Sequence, residues 1–142
     1  MQNQIRLLAV IPDEWLISLA DALATFDVQI RAVPDWQCGL ATLRANPAIE
    51  VVLSASVLPD ATWKEVLADV ARLQQPPQVL IAARYADPSL WYEVLEDGAY
   101  DLMVYPFRHD ALRQTIISAS VDCQFERDVK DRAARRLRKA ET

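Results

Sequence analysis

The sequence predicts an α/β fold, a doubly wound (βα)5 unit built on a five-stranded parallel sheet. Two observations predict it. Short apolar runs alternate with amphipathic stretches five times along the chain. The first of these runs, Ile5 to Ile11, is made of branched residues with few polar members, the pattern of a strand covered on both faces.

The elements follow in order. After the first strand, Trp15 to Phe26 places Leu16, Leu19, Leu23 and Phe26 at helical spacing. Asp27 to Val33 alternates as a strand, with Val28, Ile30 and Ala32 on one side. Asp35 is placed to cap a second helix, Trp36 to Ala45, which stops before Pro47. Ile49 to Leu53 reads as the third strand, and Leu58, Pro59 and Asp60 as a loop. Thr62 to Leu73 is the third helix, with Val66, Val70 and Leu73 inward.

Pro76 and Pro77 end that unit, and Val79 to Ala83 is the fourth strand. Asp87 followed by Pro88 is a cap followed by a first-turn proline, and the helix it opens runs to about Asp97 and stops at Gly98. Leu102 to Tyr105 is the fifth strand. From Asp110 to Thr142 no proline or glycine intervenes, which predicts one extended C-terminal helix. Right-handed crossovers leave few topologies for five such units, and the flavodoxin-like strand order 2-1-3-4-5 suits a chain of 142 residues. Ligands in such folds sit beyond the carboxyl ends of the strands.

Length favours one domain, read as 1–122 for the body and 123–142 for the extension of the last helix. The first apolar stretch is too short for a signal-peptide core or a membrane span, so the expected compartment is the cytoplasm. Cys38 and Cys123 are too few for a metal site or a disulfide framework and read as small buried hydrophobes. The net charge of −5 is uneven. Residues 126–142 hold Arg127, Lys130, Arg132, Arg135, Arg136, Arg138 and Lys139 against Glu126, Asp128, Asp131 and Glu141. The tail is therefore +3 and the rest −8, so only the tail could meet nucleic acid.

No nucleophile motif, glycine-rich phosphate loop or cysteine–histidine pairing is present, and with Gly39 and Gly98 as the only glycines a backbone phosphate cradle is excluded. No cofactor, metal or catalytic residue is expected. His109, the one histidine, reads as a surface or capping residue at a helix entry. A small flavodoxin-like enzyme is the weakest of the functional readings.

Four blocks resemble the response-regulator receiver family, over roughly residues 4–120. Gly98-Ala99-Tyr100-Asp101-Leu102-Met103-Val104-Tyr105-Pro106-Phe107 is similar to that family's GADDYLVKPF. Val51 to Asp60 is similar to LVLLDVMLPD, Val79 to Arg84 to VIVLTAR, and Leu7 to Glu14 to ILVVDDEP. Each block is weak alone. Four in order, at the right strand ends, form a specific signal.

The resemblance implies a phosphorylation chemistry and shows its parts replaced. The family uses two acids after strand one for a divalent cation, a carboxylate after strand three as phosphate acceptor, a hydroxyl after strand four and a lysine after strand five. The acid positions fall on Ile11 and Pro12, the acceptor on Ala55, the hydroxyl on Ala82 and the lysine on Tyr105. The family's aromatic reporter position, three residues earlier, is Leu102. Alanine offers no nucleophile, and isoleucine and proline offer no side-chain ligand. The family also has a cis bond before the proline that matches Pro106.

Asp13 and Glu14 lie one or two places beyond the expected acids. They read as first-turn acids that favour the helix dipole, the alternative being a shifted metal site. Ser54 and Ser56 flank Ala55 and should point away from its face; they read as hydroxyls bonded to nearby backbone. Trp63 stands where the family usually has glycine and could cover the disused pocket, ordinary helix packing being the plainer reading.

The expected function is that of an atypical, phosphorylation-independent receiver: a protein-interaction or homodimerisation module in bacterial-type two-component signalling or phosphorelay. Candidate contact residues are Trp91 and Tyr92 on the fourth helix, with Val121, Phe125, Val129 and Leu137 on the last. Those four belong to a step-of-four series, Ile117, Val121, Phe125, Val129, Ala133, Leu137, that runs past the body and drifts around the helix. Such a stripe needs a partner, a second copy or another protein; a solvated tail is the plainer alternative. A second class of function is the regulatory domain of a transcriptional regulator, whose basic helix contacts DNA or links to an output domain.

Overall fold

A computed structural model describes residues 4–85 and 87–141. Residues 1–3, Ala86 and Thr142, the last residue of the predicted helix, lie outside the described residues. The elements alternate without exception: β1 (Ile5–Val10), α1 (Asp13–Ala22), β2 (Val28–Val33), α2 (Trp36–Ala45), β3 (Val51–Ala55), α3 (Trp63–Ala71), β4 (Gln78–Ala83), α4 (Pro88–Glu96), β5 (Asp101–Val104) and α5 (His109–Ala140). The five strands pair in parallel, in the order β2-β1-β3-β4-β5. The flavodoxin-like arrangement and the long last helix are as the sequence predicts.

Burial explains why these runs are strands. Leu7, Leu8, Ala9 and Val10 of β1, all five residues of β3, and Val79 to Ala83 of β4 are buried, because helices cover both faces of the central strands. β2, at the edge, alternates, although Ala32 is exposed and Val33 takes the partly buried place.

β3 lies two residues later than its hydrophobic run alone implies. Ile49 N–H turns back to the Asn46 carbonyl, and ladder pairing with β1 begins at Leu7 opposite Val51. The strand then continues through Ser54, which is fully buried because its hydroxyl donates to the Ala55 carbonyl at 3.0 Å.

The helix signals behave as their chemistry requires. The Asp35 carboxylate accepts from Cys38 N–H at 2.9 Å, and that of Asp87 from Ser89 N–H at 2.9 Å with Pro88 in the first turn. Gly98 ends α4 with a φ of 105°, a left-handed conformation that costs glycine little. α1 has no side-chain cap and stops at Ala22, short of Phe26, with Asp13 and Glu14 in its first turn. Cys123 is buried as expected, whereas Cys38 is exposed: it follows the capped first turn of α2, on the side away from Trp36 and Gly39.

α5 is held to the body well beyond its first turns. Leu112, Ile116, Ala119, Ser120 and Cys123 are buried. At the amino-terminal edge of the sheet, Gln124 donates its side-chain amide to the carboxylate of buried Glu50, which also accepts from Arg6 N–H at 3.4 Å. Arg127 Nη2 donates to the carbonyls of Ile49 and Gln75, each at 2.9 Å. Past Arg127 the helix leaves the sheet and all but Ala134 is exposed. Among the described residues no helix is long and apolar enough to cross a membrane.

Candidate functional site

The carboxyl edge of the sheet is where the parallel strands deliver their loops. β1 delivers Ile11 and Pro12, β3 ends at Ala55, β4 passes through Ala82, and β5 leads into Tyr105 and a cis bond to Pro106. Ile11, Ala55 and Ala82 are buried, at 3%, 3% and 0% exposure, and Pro12 is exposed. Pro12 supplies only its carbonyl, which accepts from Trp15 N–H at 2.9 Å and opens α1.

At this edge three aromatic rings, from the first turn of α1 and the loop after β5, pack on one another. Trp15, in the first turn of α1, stacks on Tyr105 with centroids 4.6 Å apart and planes 7° from parallel. Phe107 closes the group edge-on, 6.3 Å from Trp15 and 5.6 Å from Tyr105. Tyr105 N–H is tied to the Ala83 carbonyl at 2.9 Å, and its hydroxyl reaches the Glu14 carbonyl at 3.4 Å. Phe107 N–H donates to Ser18 Oγ at 3.3 Å. The indole N–H of Trp15 is buried without an acceptor among the described residues.

Charge caps this aromatic group from outside. Arg84, just after β4, donates from Nη2 to Glu14 Oε1 at 3.0 Å and lies 5.9 Å from the centroid of Trp15. Both partners are more than half exposed, so the pair adds little stability and screens with salt. It does occupy the Glu14 carboxylate, one of the two acids that a shifted cation site would need. No group of three or more His, Cys, Asp or Glu positioned for a metal occurs among the described residues.

The loop acid Asp60 is also committed. Its oxygens accept from Trp36 N–H and Gln37 N–H, both at 2.9 Å, so it caps α2 from the β3–α3 loop. These two backbone donors, Trp36 first, hold its carboxyl below the ordinary range. The Trp36 indole donates to Asp69 Oδ2 at 2.8 Å. Trp63 is buried in the main core, with Lys64 over its ring at 5.5 Å. Leu102 is partly buried against the core, its N–H bonded to Asp101 Oδ1 at 2.8 Å.

A second surface gathers the exposed apolar residues. Trp91 and Tyr92 on α4 are 49% and 63% exposed, and Val121, Phe125, Val129 and Leu137 on α5 are exposed as well. Trp91 Nε1 reaches Asp101 Oδ1 at 3.4 Å, and Tyr100 Oη donates to Asp122 Oδ2 at 2.6 Å. α4, the start of β5 and one side of α5 are thus joined into one face. The carboxylate of Asp122 beside it raises the Tyr100 hydroxyl above its ordinary pKa. The apolar stripe is not a single face, because a step of four turns about 40° each time and Leu137 comes round far from Ile117.

The architecture defines the class: this is the fold of response-regulator receiver domains. It is similar to the signal receiver domain of an HD domain-containing protein from Pseudomonas fluorescens Pf-5, at 18% identity and a TM-score of 0.80, covering 90% of this chain and 95% of that one. A response regulator receiver domain protein from Clostridium thermocellum gives 16% and 0.76, covering 87% and 98%. The chemotaxis response regulator CheY4 of Vibrio cholerae gives 21% and 0.71, covering 82% and 99%. No family model and no curated protein matches the chain in sequence.

The predicted positions Ile11, Pro12, Ala55, Ala82 and Tyr105 do come to one edge, with Leu102 lower on β5. Sequence reasoning missed the Trp15–Tyr105–Phe107 group; Trp63, read chiefly as ordinary helix packing, lies in the core. The available signal was a tryptophan in the first turn after strand one and two aromatics just after strand five, at loops that share an edge.

Proposed function

We propose that this chain is a phosphorylation-independent receiver-like module of two-component signalling that acts through protein contact rather than catalysis. The observation that carries the reading is the stack of Trp15 on Tyr105. Tyr105 stands at the position that matches the family's lysine, and a phenol stacked on an indole supplies no ammonium to a phosphoryl group. Ala55, at the end of β3, offers no nucleophile, and Glu14 is paired with Arg84.

The degenerate positions are Ile11, Pro12, Ala55, Ala82, Leu102 and Tyr105, and the contact residues are Trp91, Tyr92, Val121, Phe125, Val129 and Leu137. In this reading residues 1–122 form the body and 123–142 the extension, the protein is cytoplasmic, and a protein partner or second copy covers the exposed stripe. Incubation with acetyl phosphate, or with beryllofluoride and magnesium, gives no adduct by intact mass and no change in tryptophan fluorescence. A stoichiometric adduct would reject the proposal.

The DNA-contacting reading draws less support. Of the seven tail bases, Arg127 is bonded to backbone carbonyls, and Arg132 and Arg135 pair with Asp128 at 3.3 Å and Asp131 at 3.6 Å. Binding to duplex DNA that weakens steeply with salt and disappears on truncation at residue 125 would favour it.

A further inference from the structure

We propose that an acidic segment of a partner protein docks at the amino edge of the sheet, setting carboxylates on Arg6, Arg31 and Arg44 and an apolar side chain beside Leu43 and Pro77. The inference adds a contact surface to the reading that the chain acts by protein contact and rests on that reading.

Strand register builds the first half of the surface. Arg6 of β1 pairs with Gln29 of β2, and Arg31, two residues on, shares the face of Gln29. The backbones of Arg6 and Arg31 are thus about 8 Å apart across the two strands. Both arginines and Gln29 line one cleft of about 410 Å³, which the turn after α2 closes with Asn46, Pro47 and Ile49. A second cleft, of about 440 Å³, shares those three turn residues. Arg44 and Gln74 line it together with Leu43, Leu73 and Pro77.

Charge here runs against that of the body. Residues 1–125 carry −8, yet no acid among the described residues lines either cleft. Arg6, Arg31 and Arg44 form no ion pair among the described residues, whereas Arg72 and Arg84 each do. Glu50, next to Ile49 in the chain, is buried, and its carboxylate accepts from the Gln124 amide and from Arg6 N–H. The carbonyls that end α2 would repel a carboxylate, but two are already taken. Asn46 Nδ2 donates to the Thr42 carbonyl at 2.9 Å, and Asn46 N–H to that of Leu43 at 3.3 Å. Two guanidiniums over one cleft without an acid repel each other, and a carboxylate between them removes that cost. The basic surface ends at the neighbouring cleft, where Glu126 and Asp131 offset Arg127 and Lys130.

Shape selects the occupant. The two clefts are shallow and meet at one turn, which suits an extended segment better than an enclosed small molecule. From β2 to β4 is three strand spacings, about 14 Å, which about five extended residues cover. Arginine clusters are a recurrent way to hold acidic motifs. No aromatic residue among the described ones lines either cleft, so a nucleic-acid base has nothing to stack on.

The test uses the full chain and a short synthetic peptide with glutamates on both sides of one leucine. Fluorescence anisotropy gives saturable binding that weakens as salt rises. Arg31→Glu and Arg44→Glu each weaken it by about tenfold or more, and Arg108→Glu, at the other edge, leaves it within about twofold. Glutamine in place of the peptide's leucine costs about threefold or more, because the apolar seat is then unfilled. Amide NMR shifts on binding cluster at Arg6, Gln29, Arg31, Asn46 and Ile49. Absence of saturable binding, an affinity unchanged by the leucine replacement, or shifts confined to residues 132–139 would overturn the proposal. Tighter binding of oligothymidylate than of the peptide at the same arginines would overturn it too. None of these results touches phosphorylation independence, which the adduct experiment tests separately.

Discussion

Trp15 and Tyr105, ninety residues apart, lie face to face with 4.6 Å between ring centroids. The contact joins the first turn of α1 to the loop after β5, so the loops after the first and last strands are held together at the carboxyl edge of the sheet. Truncation should show its weight. Trp15→Ala is expected to cost about 3–5 kcal/mol in chemical denaturation, as for other buried aromatics. Trp15→Phe keeps a ring on Tyr105 and removes an indole N–H that has no acceptor, so its loss stays within about 1.5 kcal/mol. Equal losses for the two variants would show that the stack is not what stabilises this edge.

A carboxylate at position 55 should harm the protein. Ala55 is 3% exposed, so Ala55→Asp buries a carboxylate with no cation supplied by Ile11 or Pro12. A destabilisation of about 3–5 kcal/mol at pH 7 is expected. Burial raises the folded pKa above the unfolded one, so the folded state binds more protons and the loss eases as pH falls toward the unfolded carboxyl range. Thermal melts at pH 7 and pH 4.5 check the sign; the variant still takes no phosphate.

Asp60 gives the opposite pH dependence. Its folded pKa is depressed by Trp36 N–H and Gln37 N–H, so its contribution is present above the unfolded carboxyl pKa and is lost as pH falls through the folded value. Asp60→Ala should lower the melting temperature at pH 7, and the difference from the parent should shrink with acidification below about pH 4. A difference independent of pH would exclude the capping role.

At the other edge, Arg127 ties α5 to the carbonyls of Ile49 and Gln75. Arg127→Ala should cost about 1.5–3 kcal/mol, the range for hydrogen bonds to charged groups. Amide hydrogen exchange should quicken from Gln124 onward and leave Leu112 to Ala119 protected. Uniform loss of protection along α5 would mean that the clamp acts on the whole domain.

Much of this fold was legible because local rules and tertiary packing agree. α2 runs from Trp36 to Ala45 with its Asp35 cap, as its sequence reads, since cap, helix formers and Pro47 all mark the same limits. β3 was shifted because an apolar run does not reveal where ladder pairing starts; Ile49 is apolar and buried yet belongs to a turn. That Ile11, Ala55 and Ala82 lie at the carboxyl edge was readable position by position, since the strands that carry them end there. What packs at that edge was not. Trp15 and Tyr105, like Asp60 and the start of α2, meet only through topology, and spacing along the chain holds no record of such contacts. The drift of the α5 stripe was visible in its step of four, but which part of it faces away from the body depended on where Arg127 and Cys123 are anchored.

In the proposed function this sheet edge has no place for a cation. Backbone amide NMR of the full chain through a magnesium titration to tens of millimolar tests it most directly. No saturable shift is expected at Ile11, Asp13, Glu14, Ser56 or Arg84 beyond the general effect of ionic strength. Saturable shifts clustered at those amides, with line broadening when manganese replaces magnesium, would contradict it.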